Sequence, residues 1–157
     1  MNRKSNKISI IISIIMIFAM IGAISFAAYW LPVVVDAALS VPDNLGNRGE
    51  VTESGRVFIL VDAYVIVAII YAALVAMFFL LREVLRERVF GKRALLFLSL
   101  VYWCCFVEGA LFALLFSYFQ LSLCVTVAFC LLGVCLRVVK NVLEEGARIK
   151  SENDYTI

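Results

Sequence analysis

The stretch ALLFLSLVYWCCFVEGALFALLFSYFQLSLCVTVAFCLLGVCLRVV (94–139) decides the fold, because it carries two charged residues only, Glu108 and Arg137. A soluble domain of this size could not hide so long an apolar run, and the solvent it fits is hydrocarbon. As a single helix it would reach about 69 Å at ~1.5 Å per residue, more than twice a bilayer core of ~30 Å. The run must therefore fold back on itself. Two spans are expected, about 94–119 and 121–139, joined by a tight hairpin around Phe119 to Ser122.

Two further runs lie upstream, about 8–35 and 57–81, and the chain as a whole is 64% hydrophobic. The first follows a basic start and has small residues near Ala27 and Ala28, as a secretory signal would. It is far longer than a signal's apolar core and continues through Tyr29 and Trp30, which suit the end of a span just before Pro32. A retained anchor is the expectation. The 157 residues then make one membrane domain: an all-α integral membrane bundle of four transmembrane helices.

Charge bias orients it. Arg3, Lys4 and Lys7 precede the first span. Arg82, Arg86, Arg88, Lys92 and Arg93 fill the 82–93 connection, and Arg137, Lys140, Arg148 and Lys150 flank the end of the fourth span or follow it. The 36–56 loop carries only Arg48 and Arg56. The positive-inside rule places both termini, the connection and the 140–157 tail in the cytoplasm, and the loop outside. That loop is rich in turn formers (Pro42, Asp43, Asn44, Gly46, Asn47, Gly49) and too poor in apolar residues to be a domain.

Lipid gives helices no hydrophobic reason to associate, so close backbone approach has to serve. Small-residue ridges are present at Ala19, Ala23 and Ala27, at Ala68, Ala72 and Ala76, and at Gly109 and Ala113. They support packing within the chain or against a second copy. Two spans are expected to run on into the cytoplasm as amphipathic helices. One carries Phe78, Leu81, Leu85 and Val89 on a stripe; the other, ending near Gly146, carries Val139, Val142, Gly146 and Ile149, with Glu144 placed to pair with Arg148. Packing on each other, contact with anionic lipid, or a docked partner would each satisfy these stripes.

Two acids sit within the spans. Asp62 lies shallow, near the outer face of the second. Glu108 lies near the middle of the third, where an ionised carboxylate costs on the order of 3 kcal/mol. Glu108 should be neutral or hydrogen-bonded inside the bundle, with Tyr71 and Thr126 as candidate partners. Ser99 and Ser117 are each roughly 13 Å away along the same helix, out of reach. A buried acid of this kind can bind a proton or cation in small exporters, although no second acid is expected at its depth.

The five cysteines all lie in apolar runs and there is no histidine. That excludes mixed Cys/His zinc sites and Ser-His or Cys-His nucleophilic pairs within this chain, and the cysteines read as packing residues. Cys104 and Cys105, adjacent on a helix, point about 100° apart and chelate poorly. With no phosphate loop, nucleophile elbow or paired-carboxylate constellation, the chain reads as a non-enzyme, with no cofactor, no metal and no direct nucleic-acid contact.

YWCCF (102–106), LRVVKNVLEEGARIKSENDYTI (136–157) and the pair Val89-Phe90 together resemble the bacterial membrane-protein family known as domain of unknown function 2975. Its members have four spans, an SWCCF-like motif and a tail of the form IKxENDLT plus an aliphatic residue. The resemblance covers roughly the last seventy residues. Between Phe90 and Trp103 this chain departs from it: GKRALLFLSLVY replaces a polar stretch. Members often lie beside a small helix-turn-helix regulator of the Cro/repressor type. The resemblance thus implies a membrane partner that sequesters or signals to such a regulator.

The candidate binding tail is Ile149, Lys150, Glu152, Asn153, Asp154, Tyr155 and Ile157. Too few residues follow Ser151 for a new helix, so an extended segment is expected, with its acids free to dock on Arg86, Arg88, Lys92 and Arg93. The competing reading is a small transporter or an immunity or envelope-stress protein that uses Glu108 and Asp62. A purely structural subunit would depend on neither the tail nor these acids.

Overall fold

The computed structural model describes residues 3–40, 52–86 and 91–154. Four helices follow in order: α1 (Arg3–Leu39), α2 (Glu53–Leu85), α3 (Lys92–Leu115) and α4 (Ser122–Asp154), with no strand among the described residues. Each contains a stretch long and apolar enough to cross a bilayer. Large apolar side chains such as Ile15, Phe26, Leu96 and Leu131 are exposed all along them, as a lipid-facing surface requires. The chain is an all-α, four-span membrane protein.

The helix ends differ from expectation in physically instructive ways. α1 does not stop before Pro32; it runs through it to Leu39. Proline removes one backbone hydrogen bond, a loss that membrane helices tolerate because neighbouring groups make it good. α2 begins earlier than residue 57, at Glu53. Thr52 is its N-cap, accepting from the Gly55 N–H at 3.4 Å, and Glu53 sits favourably in the first turn. Asp36 and Arg56, expected in a loop, therefore belong to helices. The turn-rich residues 42–49 lie outside the described residues.

α3 stops at Leu115, four residues before the expected end of its span. The reversal occupies 116–121, where Tyr118 N and Phe119 N both donate to the Leu115 carbonyl at 2.9 Å. Ser122 Oγ, donating to the Phe119 carbonyl at 2.7 Å, closes it. At the other end of the molecule α2 ends at Leu85, with the Arg86 N–H turned back on Arg82 and Glu83 carbonyls. Val89, the last member of the expected α2 stripe, lies outside the described residues, as do Arg88 and Phe90.

The largest correction concerns α4. It does not end near Gly146, and the following segment is not extended: the helix is unbroken to Asp154. A glycine inside a helix costs about 1 kcal/mol relative to alanine. Here the nucleus is already paid for by the span, and each added residue brings its own hydrogen bond. Lys140 with Glu144, and Arg148 with Glu145 at 2.7 Å, brace the turns on either side of Gly146. Tyr155 and Ile157 lie outside the described residues, as do the side chains of Lys150, Glu152, Asn153 and Asp154.

Packing follows chain order. α1 lies on α2, α2 on α3 and α3 on α4, and among the described residues no other pair of helix backbones comes together. Hydroxyls of Ser25 and Tyr71 share a hydrogen bond between α1 and α2, and Phe18 meets Phe78 edge-on at 5.9 Å. Phe79 and Phe97 stack at 5.4 Å between α2 and α3. Near the 116–121 turn, Val35, Ile59, Ile66 and Leu115 form an apolar cluster that joins α1, α2 and α3.

The closest approach is between α3 and α4. A Cβ on Gly109 would stand 3.0 Å from Cys130 Sγ, and one on Gly133 would stand 3.1 Å from the Phe106 ring. The alanine ridges do much less. Ala19, Ala23, Ala27, Ala68, Ala72 and Ala113 are exposed, and only Ala76 is buried.

Candidate functional site

On α2 the buried face runs Ile59, Asp62, Ile66; on α3 it runs Val101, Cys104, Cys105, Glu108, Leu115. These are helical spacings of three, four and seven, so each acid occupies a position on the stripe that the helix turns inward. The two acids are therefore buried by register. Asp62 is 6% exposed and Glu108 2%.

Each acid lies in the half of its helix that is nearer the 116–121 turn. Asp62 stands nine residues from the start of α2, about 14 Å along it at ~1.5 Å per residue. Glu108 stands seven residues from the end of α3, about 10 Å from the same turn-bearing end. Because α3 stops at Leu115, Glu108 moves toward that end. α2 and α3 pack on each other.

Neither expected partner reaches Glu108. Tyr71 is engaged with Ser25 on α1, and the Thr126 hydroxyl donates to its own helix at the Ser122 carbonyl, 3.0 Å away. Ser99 donates to Tyr102 at 3.2 Å. Among the described residues, both carboxyl oxygens of Glu108 and Oδ2 of Asp62 are buried without a hydrogen-bond partner. The nearest cation on α2 toward that end, Arg56, is held by Asp36 of α1 through two bonds of 2.6 and 2.8 Å. The sequence reading missed this ion pair, since both residues were assigned to a loop. The signal was their opposite sign at facing edges of consecutive apolar runs.

Around the acids, Cys104 and Cys105 are buried on α3, while Cys124 and Cys135 on α4 are exposed. Adjacency on a helix separates the first two side chains, and no group of three metal-ligating residues converges among the described residues.

The opposite end of the molecule has a different character. A crevice of about 390 Å³ between α3 and α4 is lined by Lys92, Leu95, Leu96, Ser99, Lys140 and Glu144. Beyond it α4 continues alone. Val139, Val142 and Ile149 are exposed there, Val142 by 66% and Ile149 by 53%, although the helix has passed Arg137 and Lys140. The α2 and α4 extensions do not pack on each other among the described residues. Of the expected tail residues, the structure places Ile149 on this exposed stripe and Lys150, Glu152, Asn153 and Asp154 on the same helix as backbone.

Four long apolar helices with lipid-facing side chains define a multi-pass membrane protein. The family model described as "Protein of unknown function (DUF2975)" matches residues 36–157, so the chain belongs to that family. The match begins near the end of α1 and takes in α2, further toward the N-terminus than the motif-bearing last seventy residues. No curated protein and no solved structure matches the chain.

Proposed function

We propose that this is a small multi-pass protein of the bacterial cytoplasmic membrane that works through its cytoplasmic face, as an interaction or regulatory protein rather than an enzyme. Its partner on that face is a helix-turn-helix transcription regulator, in line with the resemblance. The observation that carries this reading is the exposed Val139-Val142-Ile149 stripe on a helix that runs unbroken to Asp154. Such a stripe, with charged residues around it, is the form in which a helix enters an apolar groove or pairs with another helix. The basic residues gathered before the first span, in the 82–93 connection and after the fourth span support the cytoplasmic placement of this end.

The test is affinity capture of the tagged, membrane-extracted protein together with the regulator. Removing residues 149–157 abolishes capture while membrane insertion is kept. Capture that persists without these residues contradicts the reading. A second reading, a small transporter or an immunity or envelope-stress protein, is favoured by one separate observation, the two acids buried in the spans with carboxyl oxygens that have no hydrogen-bond partner among the described residues. On that reading Glu108→Gln abolishes the phenotype and the tail is dispensable.

A further inference from the structure

We propose that the crevice between α3 and α4 is a lipid site: it seats the phosphate of an anionic phospholipid on Lys92 and Lys140, with the lipid's chains against Leu95 and Leu96. The proposal goes beyond the readings above and depends on neither the regulator nor the buried acids.

The crevice follows from how the two helices meet. They come closest at Gly109 and Gly133, where Cys130 and Phe106 fill the gap. Straight helices that cross in contact at one level separate away from it. Ser99 lies seven residues before Phe106 and Lys140 seven residues after Gly133, about 10 Å beyond the contact on each helix. There the gap has opened to about 390 Å³, within the range of about 300–1,000 Å³ of small-ligand pockets.

Depth decides the class of ligand. The 116–121 turn, which carries Tyr118 and Gln120, suits one face of the hydrocarbon. Along α3 from Leu115, Ser99 is about 24 Å and Lys92 about 35 Å away at ~1.5 Å per residue. Along α4 from Ser122, Lys140 is about 27 Å and Glu144 about 33 Å away. A hydrocarbon core of ~30 Å ends within this interval. The crevice therefore straddles the level at which lipid headgroups begin. Leu96 in its wall is 67% exposed, so the crevice opens sideways to lipid as well as to water.

Charge decides the sign. Lys92 is exposed and enters no ion pair among the described residues. Lys140 is 23% exposed and pairs with Glu144, which is 57% exposed. A pair so open to water is weak, and a phosphate, with several acceptor oxygens, can take hydrogen bonds from both ammonium groups at once. Two lysines against one glutamate leave the crevice net positive. Arg82, Arg86, Arg93 and Arg137 toward the same end add to the attraction for an anionic bilayer surface. A soluble anion would gain the lysines alone. A phospholipid also gains contact between its chains and the two leucines, which favours lipid as the occupant.

The experiment is native mass spectrometry of the full-length, detergent-extracted protein, titrated with phosphatidylglycerol or with phosphatidylcholine of the same chains. Wild type retains one phosphatidylglycerol per chain in clear preference to phosphatidylcholine. Lys92→Gln and Lys140→Gln each weaken phosphatidylglycerol binding about 5-fold, and together about 25-fold, as expected for one interfacial charge each. The double variant Arg82→Gln/Arg86→Gln, with the same change of charge on α2 outside the crevice, has no comparable effect. Ser99→Phe, which fills the deep end and keeps every charge, weakens binding as well. Millimolar inorganic phosphate does not displace the lipid.

Circular dichroism and monodispersity report the folding of each variant, and Lys92→Gln alters an exposed side chain only. The proposal is overturned if the two lipids bind alike, if the lysine variants behave as the arginine variant does, or if Ser99→Phe binds as wild type does. Displacement of the lipid by inorganic phosphate would also overturn it, and would make the crevice a site for a soluble anion.

Discussion

At the scale of single residues, two glycines and two acids set the character of the molecule. Gly109 and Gly133 let α3 and α4 approach until Cys130 and Phe106 fill the space a side chain would take. Gly109→Leu has to push against the α4 backbone at Thr126 as well as Cys130, so the cost should be typical of overpacking, about 1–3 kcal/mol. Reversible unfolding in mixed micelles checks this, and Gly133→Leu, which meets only the Phe106 ring, should cost less. Tyr71→Phe removes the interhelical bond to Ser25 and should cost about 0.6 kcal/mol in the same assay. How much of this was legible varies with the residue. Gly109 stood out as a small residue in a span, but its partner on α4 did not, because a sequence holds no distances. Glu108 was identifiable as an anomaly from polarity alone. Its lack of a hydrogen-bond partner was not, since the engagement of Tyr71 with Ser25 and of Thr126 with its own helix depends on distances that a sequence does not hold.

At the scale of elements, α4 is the instructive case. Apolar periodicity in 121–139 gave the span, and the turn residues expected of a helix end gave a stop at Gly146 that the chain does not make. Local propensity is a weak guide where a helix is already nucleated and braced by ion pairs on both sides. Gly146→Ala should therefore stabilise the extension by about 1 kcal/mol, measurable as slower amide exchange over residues 147–154. Gly146→Pro should break it, with exchange over the same residues becoming fast while the span is unaffected. Pro32 is the mirror image. Tyr29 and Trp30 just before it were read as an interfacial pair at the end of a span, and in α1 all three lie inside a helix of 37 residues.

At the scale of the whole molecule, hydropathy alone was enough for four spans, because the bilayer demands closed backbone hydrogen bonding over about 20 residues at a time. It was silent on which helices touch. Among the described residues backbones approach only between sequence neighbours, and α1 meets α3 through side chains alone, in the cluster of Val35, Ile59, Ile66 and Leu115. In a background without native cysteines, a disulfide between positions 25 and 71 should form readily within one chain, and one between positions 17 and 134 should not; gel mobility separates the two. The same openness leaves the C-terminal half of α4 uncovered, and the account of function rests there. The most direct measurement is site-specific photo-crosslinking in cells from positions 142 and 149, with position 127 inside the span as the lipid-facing control. The account predicts protein adducts containing a helix-turn-helix regulator from 142 and 149 and none from 127. Lipid adducts alone at all three positions, in cells that contain the regulator, would contradict it.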